Sequence, residues 1–429
     1  MKSIFGTAVF LTFARIAGAG LGIVLQILIA RNYGAQVLGS YYFVLSLAGI
    51  LSIIISLGYP WVIAPILAAN ETDQKSNALA HSLAVFYRDA LLISVVFVAP
   101  LAIYICYFAA IDHQRQLALL VGLATAPVYA LMRMCGSIAN AKKMFSFASL
   151  PELFLRPLLM LALVGLAIVL AFDLDATSIV TLNWLISVVL TMWMAIRLYQ
   201  TDASAILQWK SGSRYSSPDA SKLRRLAIPM IFSTLFINMF ADLDILIIGM
   251  IMPADQAGIF GVAMKIAALL LFTVQITHQI LLRDASDAHL CGNREEMGEI
   301  LKKANTFAVS ASIASLIALL ILGELVLGLF GNEFTAAYYC LIGLVVAQII
   351  RAAAGPAIQV LMITNNQKTG IPVYIFSAII LVVANIILVP VYRYEGAALA
   401  VIITTLIWSV WLSMLVRQKT GYSISIFRF

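Results

Sequence analysis

The sequence predicts an all-α integral membrane protein of about twelve transmembrane helices, in two six-helix lobes related by a pseudo-twofold axis along the membrane normal. Three observations predict it. Of 429 residues, 62% are hydrophobic and 11% charged, where soluble domains run near ~45–50% and ~25%. The apolar residues fall in successive runs of the ~20 residues that a bilayer-crossing helix needs. The chain also repeats itself: GAQVLGSYYFVLSLAGIL from Gly34 to Leu51 aligns without gaps on PADQAGIFGVAMKIAALL from Pro253 to Leu270, an offset of 219.

The predicted spans are 7–30, 40–64, 90–110, 116–138, 152–172, 177–198, 227–251, 257–282, 305–330, 335–363, 371–391 and 396–416. Long apolar blocks exclude the other spanning architecture, a barrel, whose strands of about ten residues would alternate. The first run follows a single Lys2, is longer than a signal-peptide core and lacks a small-residue cleavage site, so it reads as a retained helix. Domain organisation follows from the polar interruptions: an N-terminal lobe (1–198), a cytoplasmic linker containing SGSRYSSPDASKLRR (199–226), a C-terminal lobe (227–416) and a cytoplasmic tail (417–429). Two further polar segments, Glu71 to Asp89 and Arg283 to Asn305, carry both charge signs and are expected to lie along the cytoplasmic surface.

Orientation follows from lysine and arginine, which collect on the cytoplasmic side. With the N-terminus cytoplasmic, nineteen of the 27 basic residues fall inside and three outside (Arg31, Arg115, Arg393), so both termini are placed in the cytoplasm. The net charge of +7 then reflects topology and calls for no nucleic acid. Weaker echoes, AKK at Ala141 with NQK at Asn366 and DATS at Asp175 with EGAA at Glu395, support duplication. An even number of helices per repeat makes the repeats parallel and places substrate between the lobes.

The remaining five basic residues, Arg15, Arg133, Arg156, Lys265 and Arg351, fall within spans. A charge there costs ~2.5–3.5 kcal/mol and usually faces a cavity or a partner. Arg15 shares a helix side with Gly18, Ala19, Gly22 and Gln26, a stripe that permits either close packing or a cleft. Arg351 has Gln348, Gly355 and Gln359 at helical spacing, with a kink expected at Pro356. Arg133 and Arg156 sit nearer the cytoplasmic ends and can reach headgroups, and Glu152 stands four residues before Arg156 as a partner. Asp242 and Asp244 on the seventh span are candidates either for pairing with a basic residue or for binding a coupling proton or sodium ion. His278, flanked by Gln275 and Gln279, is a candidate proton relay or an interfacial hydrogen-bonded residue.

Cys106, Cys135, Cys291 and Cys340 show no metal-ligand or disulfide spacing and are assigned to packing. The sequence has no GxxxxGK[ST], GxSxG or HExxH pattern, and the predicted outer loops are too short for a catalytic domain. No catalytic residue, metal site or cofactor is assigned. The expectation is a transporter and not an enzyme.

Longer stretches carry a family resemblance. ARNYGAQVLGSYYFVLSLAGILSIIISLG, DLDILIIGMIMPADQAGIFGVAMKIA, GNEFTAAY, LMITNNQKTG and VPVYRYEGAALAVIITT, in this order and spacing, resemble polysaccharide (O-antigen) flippases of the multidrug/oligosaccharidyl-lipid/polysaccharide exporter superfamily. The resemblance covers nearly the whole chain. It implies two six-helix lobes in a MATE-like V that open alternately to either side, in the cytoplasmic (inner) membrane. It further implies undecaprenyl-pyrophosphate-linked oligosaccharide as substrate, a cationic cavity, and coupling to H⁺ or Na⁺. Association with membrane lipids, a polysaccharide polymerase or glycosyltransferases fits the same role. The alternatives are a multidrug cation exporter of the same superfamily, which would favour an acidic and aromatic cavity, and a membrane-embedded sugar polymerase or ligase, which would need larger outer loops.

Overall fold

The computed structural model describes residues 2–63, 84–108, 112–208, 220–364, 366–422 and 424; the side chains of 2–9, 12, 201–208, 220, 222, 229, 232–233, 236–241, 270–283 and 367 lie outside that description. Among the described residues every regular element is helical. Eight of their helical runs are long and apolar enough to cross a membrane. The chain is a multi-pass membrane protein. Its residues group into two compact units, Met1–Leu235 and Phe236–Phe429.

In the first unit, α1 (Lys2–Ser56) leaves helical geometry at Gly34 (φ 82°, ψ 172°), so the run is two helices joined at one bend. The bend aligns, at the offset of 219, with Pro253. Next come α2 (Ala84–Tyr107), α3 (His113–Ala141), α4 (Phe145–Val169) and α5 (Ala176–Gln208). The Asp112 carboxylate caps α3 by accepting from the Gln114 backbone N–H at 3.3 Å, satisfying a donor that a helix start otherwise leaves open. α3 packs on α1 and α5, and α4 packs on both as well. Wider π turns interrupt α2 at Ser94–Val98 and α4 at Pro151–Leu155. Each precedes a proline within two residues, Pro100 and Pro157. Proline cannot donate to the carbonyl four residues back, and a π turn is one way a helix absorbs that loss.

The carbonyl that Pro157 leaves without its helical donor is that of Leu153, and α1 meets it at Gly18. A Cβ on Gly18 would overlap the Leu153 carbonyl, whereas one on Gly22 would meet no atom within 4 Å among the described residues. The small-residue stripe is therefore a contact at one end and open space at the other. Gly18→Ala is expected to cost ~1–3 kcal/mol through overpacking and to lower the melting temperature in detergent, with Gly22→Ala leaving it unchanged. Equal melting of the two variants would contradict this packing.

A charged network closes the first unit at the predicted cytoplasmic end. Asp89 on α2 is 3% exposed. Its Oδ2 accepts from the Tyr59 hydroxyl at 2.7 Å and from Arg224 Nε at 2.7 Å; its Oδ1 accepts from Arg224 Nη2 at 2.6 Å and Arg88 Nε at 3.3 Å. Arg224 belongs to the first turns of α6 (Ala220–Ile251). A two-pronged guanidinium–carboxylate pair thus fixes the start of α6 to α2.

The second unit begins within α6 and continues through α7 (Ala254–Leu290), α8 (Arg294–Gly328), α9 (Tyr338–Ala354), α10 (Ala357–Ile363) and α11 (Ile371–Thr420). Asn293 caps α8, accepting from the Glu296 N–H at 3.2 Å while donating to Glu296 Oε2 at 3.0 Å. The kink expected at Pro356 is a full break: Gly355 (φ 80°, ψ −177°) separates α9 from α10. α11 bends once, at Arg393 (φ 51°, ψ −135°). Met297, Leu301, Val360, Trp408, Leu412 and Val416 build an apolar core where α8, α10 and α11 meet.

The polar segment Arg283 to Asn305 is not a separate surface helix. It is the end of α7, a turn at 291–293 and the start of α8. At ~1.5 Å per residue, the 37 residues of α7 span about 55 Å, well beyond the ~30 Å apolar core. A helix of that length can carry its charged end beyond the apolar core. The helices also enter the predicted linker from both sides, α5 to Gln208 and α6 from Ala220; 209–219, and 71–83 of the other polar segment, lie outside the described residues.

Candidate functional site

Of the predicted residues of the first unit, Arg156 is the one that the structure sets against Tyr129 on α3. The Arg156 guanidinium stands 4.9 Å from the centroid of the Tyr129 ring. The hydroxyl of that ring accepts from Asn183 Nδ2 on α5 at 2.8 Å in a buried bond. Arg133 lies four residues beyond Tyr129 on the same side of α3 and is half-buried. Arg15, on α1, is half-buried too. On the same helix, Gln26 Oε1 accepts from the Tyr42 hydroxyl at 2.8 Å, joining the two limbs of α1 across its bend.

The pairing expected between Arg156 and Glu152 is a charge attraction and not a contact. The Glu152 carboxylate acts on the guanidinium, but among the described residues no carboxylate comes within ion-pair distance of it, and the group it rests on is the ring. Tyr129 sits 27 residues earlier on a neighbouring helix. That tertiary contact outweighs the local one.

In the second unit, Arg351 occupies the last turn of α9, ahead of the Gly355 break, with its guanidinium 5.8 Å from the centroid of the buried Trp408 ring on α11. Among the described residues no carboxylate pairs with it. Gln348, one turn earlier on the same side, has a buried Oε1 with no hydrogen-bond partner among the described residues. Lys265 is half-buried on α7.

The two aspartates differ. Asp242 is half-buried, whereas Asp244 is fully buried. Asn385 Nδ2 on α11 donates to Asp244 Oδ1 at 2.8 Å and to the Leu381 carbonyl at 2.9 Å. Asp244 Oδ2 and Asn385 Oδ1 have no partner among the described residues. The side chain of His278 lies outside the described residues.

The energetic consequence is the same in both units. A ring face returns ~2 kcal/mol or more to a desolvated cation, against the ~2.5–3.5 kcal/mol that a charge costs mid-membrane. Among the described residues the N–H edges of both guanidinium groups make no hydrogen bond, and such an edge matches phosphate oxygens two at a time. Sequence reasoning missed Tyr129, Trp408 and Asn385. Asn385, a lone amide in the apolar run ILVVANIILV, carried a readable signal. The two aromatics did not stand out among the chain's 44.

No protein-family model matches the chain. Solved structures do. An inward-facing multidrug resistance MATE family transporter of the MOP superfamily superposes with a TM-score of 0.76 at 15% identity, over 95% of this chain and 99% of its own. The lipid II flippase MurJ, in an inward closed conformation, gives 0.75 at 15% identity over 95% and 87%. A MOP superfamily transporter from Pyrococcus furiosus gives 0.67 at 15% identity over 96% and 95%. The chain therefore has the fold of the MOP exporter superfamily. In sequence it is similar to the probable low-salt glycan biosynthesis flippase of Haloferax volcanii, 22% identical over 192 residues. That stretch covers 43% of this chain and 40% of the relative, so it spans less than half of either.

Proposed function

We propose that the protein is a flippase carrying undecaprenyl-pyrophosphate-linked oligosaccharide, a repeat unit of O-antigen or a similar surface polysaccharide, from the cytoplasmic to the outer leaflet. The carrying observation is the pair Arg156 and Arg351, each with its guanidinium over an aromatic ring and, among the described residues, in no ion pair. Among the same residues no carboxylate acts on Arg351 from a distance either. A pyrophosphate supplies oxygens that such guanidinium groups can bind directly. In this reading twelve spans form two lobes that open alternately to either side of the inner membrane, with both termini cytoplasmic and Arg15, Arg133 and Lys265 completing the cationic lining. The fold admits multidrug exporters as well as lipid flippases, and the basic character of the intramembrane charges favours the lipid-linked substrate. The sequence likeness to a glycan flippase points the same way. Loss of the gene should cause a lipid-linked glycan to accumulate on the cytoplasmic leaflet, and an unchanged lipid-linked pool would remove the assignment.

Coupling to an ion gradient is assigned to Asp244, whose Oδ2 is buried without a partner among the described residues. A proton or a sodium ion on that oxygen neutralises the carboxylate in the apolar interior. Asp244→Asn is expected to leave the Asn385 contact in place and to remove the dependence of transport on pH or sodium. Transport that keeps its wild-type dependence would reduce Asp244 to a structural hydrogen-bond partner.

A further inference from the structure

A cavity of about 270 Å³ lies at the loop end of the second unit, away from the mid-helix residues above. Three chain segments converge on it: the turn between α7 and α8, the residues following α10, and the end of α11. Its lining includes the permanent cations Arg294 and Lys419 and the imidazole of His289, and no carboxylate. Glu296, an acidic neighbour on α8, is held by Asn293 Nδ2 at 3.0 Å.

The cavity is walled by fixed structure. α11 ends at Gly421 (φ 75°), and the chain that follows is tied down: Asn305 Nδ2 donates to the Ile424 carbonyl at 2.8 Å, and Tyr422 and Ile424 are buried in the apolar core. Asn366 Nδ2 is occupied by the Thr364 carbonyl and the Thr364 hydroxyl by the Val360 carbonyl, at 3.0 and 2.8 Å. The charged groups are thus the donors free to meet a ligand, aided by the Tyr422 hydroxyl, which lies 3.4 Å from His289 Nδ1. Arg294 is also the first residue of α8, where backbone N–H groups and the helix dipole favour an anion.

Like charges gathered around one small polar cavity repel unless an anion sits among them. We infer that this pocket binds a phosphate-bearing anion at the cytoplasmic face. It does not depend on what the protein carries. A phosphate group offers oxygens to the Arg294 fork and to the Lys419 ammonium together. Two sources supply that chemistry, the headgroup of an anionic phospholipid of the inner leaflet and free inorganic phosphate.

The test uses the full-length purified protein. Phosphatidylglycerol and phosphatidylcholine are titrated in turn and bound lipid is counted by native mass spectrometry; radiolabelled inorganic phosphate is measured in parallel. The variant is Arg294→Gln with Lys419→Gln. The control, Lys302→Gln with Lys303→Gln, removes the same charge from exposed positions of α8 outside the cavity. Because Lys419 is exposed, Lys419→Gln alone serves if the double variant fails to fold. A lipid ligand is supported if phosphatidylglycerol binds in preference to phosphatidylcholine and its affinity falls about tenfold or more, the loss of at least one charge-assisted hydrogen bond, in the pocket variant only. A free-phosphate ligand is supported if labelled phosphate binds saturably and is lost in that variant, with the two lipids bound equally. Equal binding of every probe to pocket variant and control overturns the inference.

Discussion

Arg351→Ala is expected to lower glycan export about a hundredfold or more while protein level and membrane insertion stay at wild-type values. Two hydrogen bonds from a guanidinium to phosphate oxygens, at ~1.5 kcal/mol each, amount to ~3 kcal/mol, which is roughly two factors of ten. Arg156→Ala should act in the same direction, because each guanidinium rests on a ring and makes, among the described residues, no ion pair. Among those residues the Glu152 charge does act on Arg156 from nearby, whereas no carboxylate acts on Arg351. Lysine keeps the charge but neither the planar stack nor the two-pronged fork, so Arg351→Lys should restore export only in part. Surface glycan in a deletion strain carrying each variant measures the effect. Near-normal export in Arg351→Ala would remove that residue from the substrate path.

The second large effect concerns stability. Arg224→Ala leaves the Asp89 carboxylate, 3% exposed, with only Tyr59 and Arg88 for company. Breaking a buried ion pair from one side costs ~3–5 kcal/mol. The Arg224 side chain is 42% exposed, so water screens part of the pair and ~2 kcal/mol is the appropriate scale. For a unit of this size that is roughly 4–8 °C in melting temperature. Asp89→Asn should cost less, since it leaves the cation where water reaches it and buries a neutral amide. The double variant should melt above the sum of the single losses, because the two groups share one interaction. Strictly additive losses would show that the two side chains do not act on each other.

The helical character was legible because apolar runs of spanning length admit one backbone solution in a bilayer, and a kink at Pro356 was legible because proline cannot continue the α9 ladder. The full break at Gly355, inside the predicted span 335–363, was not. Gly18 and Gly22 stood out as small residues, but their different surroundings depend on where Leu153 arrives from α4. The functional residues divide along the same line. Each intramembrane charge is visible in sequence as an anomaly, while its partner is not. Asn385 lies 141 residues from Asp244, and Asp89 and Arg224 are separated by 135. Arg156 shows the hazard of the local reading: Glu152 has the right spacing for a helical pair, yet the guanidinium turns to Tyr129. The segment from Arg283 to Asn305 misled for a related reason, since mixed charge marks exposure to water but does not tell a surface-lying helix from the projecting ends of two long ones.

The claim that stacked arginines receive a phosphate-bearing lipid is tested most directly by translocation in proteoliposomes, with the same short oligosaccharide joined to undecaprenyl pyrophosphate or to uncharged undecaprenol. Wild-type protein should move the pyrophosphate-linked substrate and leave the uncharged one behind, and the Arg156→Ala, Arg351→Ala double variant should move neither. Translocation of both substrates at one rate, or of the pyrophosphate-linked substrate by the double variant at the wild-type rate, would contradict the account.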